Sequence, residues 1–147
     1  MTKAFEFRLE KLLEVRRVKE DAAVREFAAA QAAVAERNRI ILELMGNEDL
    51  AKKELRAAQE GPLDMARIRQ AGVYLVALER LLRREYDLLQ ELVKVEIDKR
   101  HVMTEARKRV RVLERAREGK LRLYRQDLDL QERVFLDEVG QNLAKGA

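Results

Sequence analysis

Between Leu9 and Ala58 the same helical phase returns at alternating steps of four and three residues. It is filled by Leu9, Leu13, Ala23, Phe27, Ala30, Val34, Ile41, Leu44, Ala51, Leu55 and Ala58, and interrupted by Arg16, Glu20, Arg37 and Glu48. A 3.5-residue repeat kept for about seven heptads marks a helix that buries one narrow stripe against another helix. The pattern resumes through Ile68, Ala71, Leu75, Leu78, Leu82, Glu85, Leu89, Leu92, Glu96, Lys99, Met103, Ala106, Val110 and Leu113. Between the two runs stands Gly61-Pro62, which contains the only Pro of the chain. Gly suits the position just past a helix end, and Pro is tolerated in a first turn but not in an interior. The expected fold is all-α, a long antiparallel two-helix coiled-coil hairpin forming a single domain over residues 1–147. Helix 1 is expected at about 4–60, the bend at 61–62 and helix 2 at about 63–145. The stripe crosses Gly46-Asn47 without losing phase, so that pair reads as a weak point inside one helix, the alternative being that Asn47 caps a short second segment.

The two arms differ in length, and the second changes phase near its end. Continuing its register gives Arg117 and Lys120, whereas the apolar residues go on one position later as Leu121, Tyr124, Leu128, Phe135, Val139 and Leu143. A one-residue drift beside Gly119 redirects the seam. Folding about the bend places Phe5 opposite roughly residue 118, which leaves an overhanging C-terminal helix from about 119 to 145. Its apolar stripe has nothing in its own chain to cover it, so another molecule is expected there.

The chain is 39% charged and 47% apolar, with no Cys and no Trp. That is the profile of long helices, and a two-helix seam has no deep interior for a ligand cavity. Without Cys there is no disulfide framework and no thiolate metal site. The opening Met1-Thr2-Lys3-Ala4-Phe5-Glu6-Phe7 alternates polar and apolar residues and has no signal-peptide core. No apolar run is long enough to span a bilayer. Ser is absent, the glycines are scattered singly and His101 is the only His. No catalytic constellation, phosphate loop, cofactor site or metal site is therefore expected, and the reading is non-enzymatic.

Charge is placed unevenly. Residues 99–125 carry eleven basic side chains (Lys99, Arg100, Arg107, Lys108, Arg109, Arg111, Arg115, Arg117, Lys120, Arg122, Arg125) against Glu105, Glu114 and Glu118. Residues 126–147 reverse the balance, with Arg133 and Lys145 against Asp127, Asp129, Glu132, Asp137 and Glu138. The basic run is a field source able to steer an acidic partner, with Arg115, Arg117 and Arg122 its expected steering residues.

Several landmarks occur in order along the chain: Phe5-x-Phe7-x-Leu9-Glu10-x-Leu12-Leu13-x-x-Arg16, then Phe27-Ala28 and Gln31. Tyr74-Leu75-x-x-Leu78 follows the bend, and Phe135-Leu136-Asp137-Glu138 lies near the end. In these the chain resembles the FliJ family of flagellar type III export proteins. The resemblance implies a fold similar to the central-stalk coiled coil of rotary ATPases. It further implies three partners: the hexameric export ATPase, whose assembly and activity such proteins promote, the cytoplasmic domain of the export gate, and export chaperones that they escort. The implied location is cytoplasmic, at the inner face of the cell membrane, with the membrane reached only through partners. The basic run at 107–125 is not demanded by the family pattern.

On that footing the candidate ATPase-binding residues are Phe5, Leu9, Leu12 and Leu13, with Phe7 among them, and Tyr124, Leu128, Phe135, Leu136 and Val139. Their apolar character alone fits simple closure of the hairpin base equally well. Tyr74, Leu78 and Leu81 share a helix face at steps of four and three and are the implied export-gate contact, although Leu78 also belongs to the seam. The polar seam residues Arg16, Glu20, Arg37 and Glu48 read as devices that fix register. Two other functions compete. One is a nucleic-acid-binding coiled coil using residues 99–125, which lacks the aromatic stacking set such readers carry; nucleic acid is not an expected partner. The other is a generic coiled-coil scaffold or a rotary-ATPase stalk subunit.

Overall fold

The computed structural model describes residues 3–146; residues 1, 2 and 147, the extreme ends of the expected domain, lie outside it. Two helices account for nearly all of the described chain: α1, Glu10–Gln59, and α2, Met65–Lys145. The fold is all-α. The chain divides into two compact units, one of the stretches up to Ala22 and from Thr104 onward, the other Ala23–Met103.

The bend is set by three residues. Gly61 has φ +159°, a conformation that side-chain-bearing residues rarely adopt. Pro62 follows it. The side-chain Oδ1 of Asp64 then accepts from the backbone N–H of Ala66 at 3.1 Å and of Arg67 at 3.4 Å. Asp64 is thus the N-cap of α2, answering two of the donors that a helix start leaves open. Helix 2 therefore begins at Met65, two residues later than the Gly-Pro signal implied. Gly46-Asn47 lies inside continuous α-helix.

In the Ala23–Met103 unit the two helices pair antiparallel along the stripe read from sequence. Ala23, Ile41, Ala51 and Ala58 of α1 and Leu78, Leu82 and Met103 of α2 are its buried core. Apart from Ile41 the buried residues of α1 are Ala, and those of α2 are Leu and Met, a division of sizes that suits close helix approach. One pair of polar interruptions meets across the seam. Arg37 Nη1 lies 2.5 Å from Glu85 Oε2, both at seam positions and only 28% and 13% exposed. Arg37 Nε is buried without a hydrogen-bond partner. In the other unit Leu13, fully buried, and Val110 form the core.

The beginning of α1 departs from expectation. Helix 1 starts at Glu10, not near residue 4, and the described residues before it are not helical. The physical cause lies in phase. Extending the heptad stripe back from Leu9 reaches Glu6 and Thr2, so a longer helix would offer the seam no apolar residue. An extended segment instead places Phe5 and Phe7 on one side, in the two-residue alternation visible in sequence.

Two measurements test this packing. Glu85→Ala leaves Arg37 charged and unpaired, and it should cost about 1–3 kcal/mol by thermal melting. Replacing both residues by Leu should restore or exceed the original melting temperature, but it should broaden the distance distribution between spin labels at Asn38 and Gln90. An unbroadened distribution would deny Arg37–Glu85 a register role. Independently, a Cβ added at Gly46 meets nothing within 4 Å. Gly46→Ala should therefore stabilise by about 0.5–1 kcal/mol, and an unchanged melting temperature would contradict the continuous helix.

Candidate interaction surfaces

Residues 3–9 form a strap against α2 near Arg117 and Tyr124, within the first unit. The Phe5 ring stacks obliquely on Tyr124, with centroids 5.6 Å apart and planes at 50°. The Arg117 guanidinium carbon lies 5.4 Å from the centre of the Phe5 ring. The same guanidinium donates from Nε to Glu10 Oε2 at 2.9 Å, and the Tyr124 hydroxyl donates to the Lys3 carbonyl. One phenyl ring is held between an aromatic and a cation, each fixed in turn by a polar bond, an arrangement worth about 0.5–1.5 kcal/mol per ring contact. Arg17 and Glu114 add an exposed cross-helix pair at 3.5 Å, which contributes little.

This corrects the expected overhang. An extended segment advances about 3.3 Å per residue against 1.5 Å for a helix, so a few strap residues cover more of α2 than helical pairing allows. Leu121, Tyr124 and Leu128 are half-buried, and every residue from 129 to 146 is exposed. The uncovered segment therefore begins after Leu128, about ten residues beyond the expected start at 119. Phe5 and Phe7 are half-buried rather than free, and Leu13 belongs to the core. Leu9 and Leu12 are partly exposed at the same end, while Phe135, Leu136 and Val139 are open to solvent. The ten candidate residues thus divide: Phe5, Phe7, Leu13, Tyr124 and Leu128 are buried or half-buried, while Leu9, Leu12, Phe135, Leu136 and Val139 are exposed.

The expected steering residues also divide. Arg115 and Arg122 are exposed, whereas Arg117 is half-buried and engaged with Phe5 and Glu10. In the Ala23–Met103 unit, Leu78 is a core residue at 5% exposure, while Tyr74 and Leu81 stand outside the seam. They begin a second stripe missed by a reading that followed only the seam. Tyr74, Leu81, Leu88, Val95 and Val102 recur at intervals of seven, each immediately before a seam position, and all are exposed. In an ordinary two-stranded coiled coil these positions carry charge. The signal is present in the sequence, one residue out of phase with the seam.

The remaining charge is arranged along the surface. Arg39 forks between Glu36 at 2.8 Å and Glu43 at 3.2 Å, and its hydrogen bond holds the Glu36 carboxyl below its ordinary value. Arg100 lies over the Phe27 ring at 5.3 Å. Among the described residues no group of three or more His, Asp or Glu is gathered as a metal would need, and no helix is long and apolar enough to cross a membrane.

Removing the ring at the centre of the strap should separate closure from helix pairing. Phe5→Ala should speed amide exchange of residues 3–9 by about tenfold while moving the main melting transition by no more than about 2 °C. Tyr124→Phe should do the same more weakly. A large fall in melting temperature would make the strap part of the cooperative core.

The family model described as Flagellar FliJ protein matches residues 5–147. No curated protein and no solved structure matches the chain.

Proposed function

Because the chain belongs to the flagellar FliJ protein family, and so to the components of the flagellar export apparatus, we propose that it is a non-enzymatic, central-stalk-like activator of the hexameric export ATPase. It also contacts the export gate and escorts export chaperones. The observation that carries the reading is the open end of α2. From residue 129 to 145 α2 runs on as helix with Phe135, Leu136, Val139 and Leu143 exposed along one side. A helix surrounded by water gains nothing from such residues, and they become favourable when a partner covers them. A subunit of a ring-shaped ATPase packed against that side would cover all four.

On this reading the candidate residues fall into two groups that do different work. Phe5, Leu9, Leu12 and Leu13, together with Tyr124 and Leu128, hold and shape the base from which the helix projects. Phe135, Leu136 and Val139 make the ATPase contact itself. Arg115 and Arg122 raise the encounter rate with an acidic partner, while Arg117 serves the strap. The export-gate contact runs along the second stripe from Tyr74 and Leu81 towards Val102, with Leu78 supporting it from the seam. The protein acts at the cytoplasmic face of the membrane through these partners.

Phe135→Ala combined with Val139→Ala tests the reading. Helicity and melting should be unchanged, because both residues lie outside the paired helices. Binding to the cognate ATPase and stimulation of its turnover should fall by more than tenfold, given about 2 kcal/mol for a buried aromatic anchor. Full stimulation by the double variant, or nucleotide hydrolysis by the purified chain alone, would overturn it.

A further inference from the structure

Helix α2 carries two features that the stalk reading does not use. The first is the reversal of charge along a single helix, from eleven basic against three acidic residues over 99–125 to two against five over 126–147. Two such helices laid parallel set like charge on like. Laid antiparallel, each acidic half lies on the other's basic half.

The second feature is an open hollow of about 250 Å³ lined by Leu12, Arg16, Lys108, Arg109, Val112 and Leu113. Its surface is almost wholly apolar, so Arg16, Lys108 and Arg109 line it chiefly with their aliphatic stems. Lys108 is paired with Glu105 at 3.3 Å, but neither Arg16 nor Arg109 has an ion-pair partner among the described residues. An apolar hollow whose lining includes two arginines without an ion pair fits an apolar side chain with a carboxylate nearby.

The exposed end of the same helix has that chemistry. At 100° per residue, Arg109, Val112, Leu123, Leu130, Val134 and Asp137 share one side of α2. Val112, Leu123, Leu130 and Val134 are 66%, 60%, 59% and 50% exposed. We propose that a second copy of this chain docks antiparallel along this side, with Leu123 on the two-fold axis. Leu130 then meets Ala116 of the second copy, and Val134 meets its Val112 at the hollow. Asp137 reaches its Arg109, and Glu138 comes within reach of its Lys108. Each contact occurs twice, so the interface closes on itself and stops at a dimer. Gly119 and Ala116, beside the axis, keep the approach close. Leu128, Phe135 and Val139 lie on the opposite side of α2, so the dimer goes beyond the ATPase reading and leaves that face open.

The chain has no Cys, which permits a clean test. Leu123→Cys should form a disulfide-linked dimer under mild oxidation at low salt, because two-fold symmetry brings the two positions together. Leu81→Cys, equally placed relative to the seam, should not. In sedimentation equilibrium of the natural sequence, dimerisation should weaken with added salt. Arg109→Glu alone and Asp137→Arg alone should each weaken the dimer by about tenfold or more, and the two together should restore it. A protein that stays monomeric at low salt, equal cross-linking through Leu81→Cys, or open-ended polymerisation would overturn the proposal. So would failure of the double reversal to rescue, which would assign the hollow to an acidic helix of another protein.

Discussion

The seam between α1 and α2 holds only where both helices present apolar residues in the same 3.5-residue phase. Much else about this chain follows from where that phase is kept and where it is lost. Over the Ala23–Met103 unit it is kept, and Ala, Ile, Leu and Met form the buried core there. Ahead of Leu9 it is lost on α1, where the next seam positions are Glu6 and Thr2. Around Arg117 it slips on α2. The two failures fall at the same end of the molecule. The chain resolves them by abandoning the helix on one side and laying an extended strap against the other.

Within the kept region, polar residues perform a task that apolar ones cannot. A uniform apolar seam permits neighbouring registers of similar energy, since one heptad looks much like the next. Arg37 opposite Glu85 makes one register electrically different from the others. The pair is unfavourable as a source of stability, because both groups lose water and Arg37 Nε finds no partner. Its value lies in what it excludes.

The seam was legible in sequence almost residue by residue. Of the fifteen positions read on the first arm only Leu9 is exposed, and the polar members Arg16, Glu20, Arg37 and Glu48 lie at the seam with the rest. Periodicity reports burial directly in a two-helix fold, because there is only one face to bury. The helix starts were less legible. Asp64 announces a cap, but Gly61-Pro62 is the louder signal and draws the boundary two residues early. The strap was written as the alternation of Phe5, Glu6 and Phe7, yet seven residues are too few for periodicity to separate an extended segment from a fraying helix. What Phe5 touches was beyond the sequence altogether. The stack on Tyr124 depends on how far an extended chain reaches along α2, a length set by three-dimensional closure. The second stripe at Tyr74–Val102 shows the opposite failure, in which a clear heptad signal went unread because a stronger one ran beside it.

The strap also bears on when the molecule completes itself. The contacts nearest the bend join residues close in sequence, and those between the strap and Tyr124 join residues more than a hundred positions apart. Loop closure makes such pairs slow to form until the intervening helices have zipped together. During synthesis Phe5 must therefore wait for more than a hundred further residues, since it has no site until Tyr124 has left the ribosome. A segment made early is placed late. A docked strap is thus a report of completed pairing: its ring cannot be seated on a chain that is truncated, out of register or still unzipped.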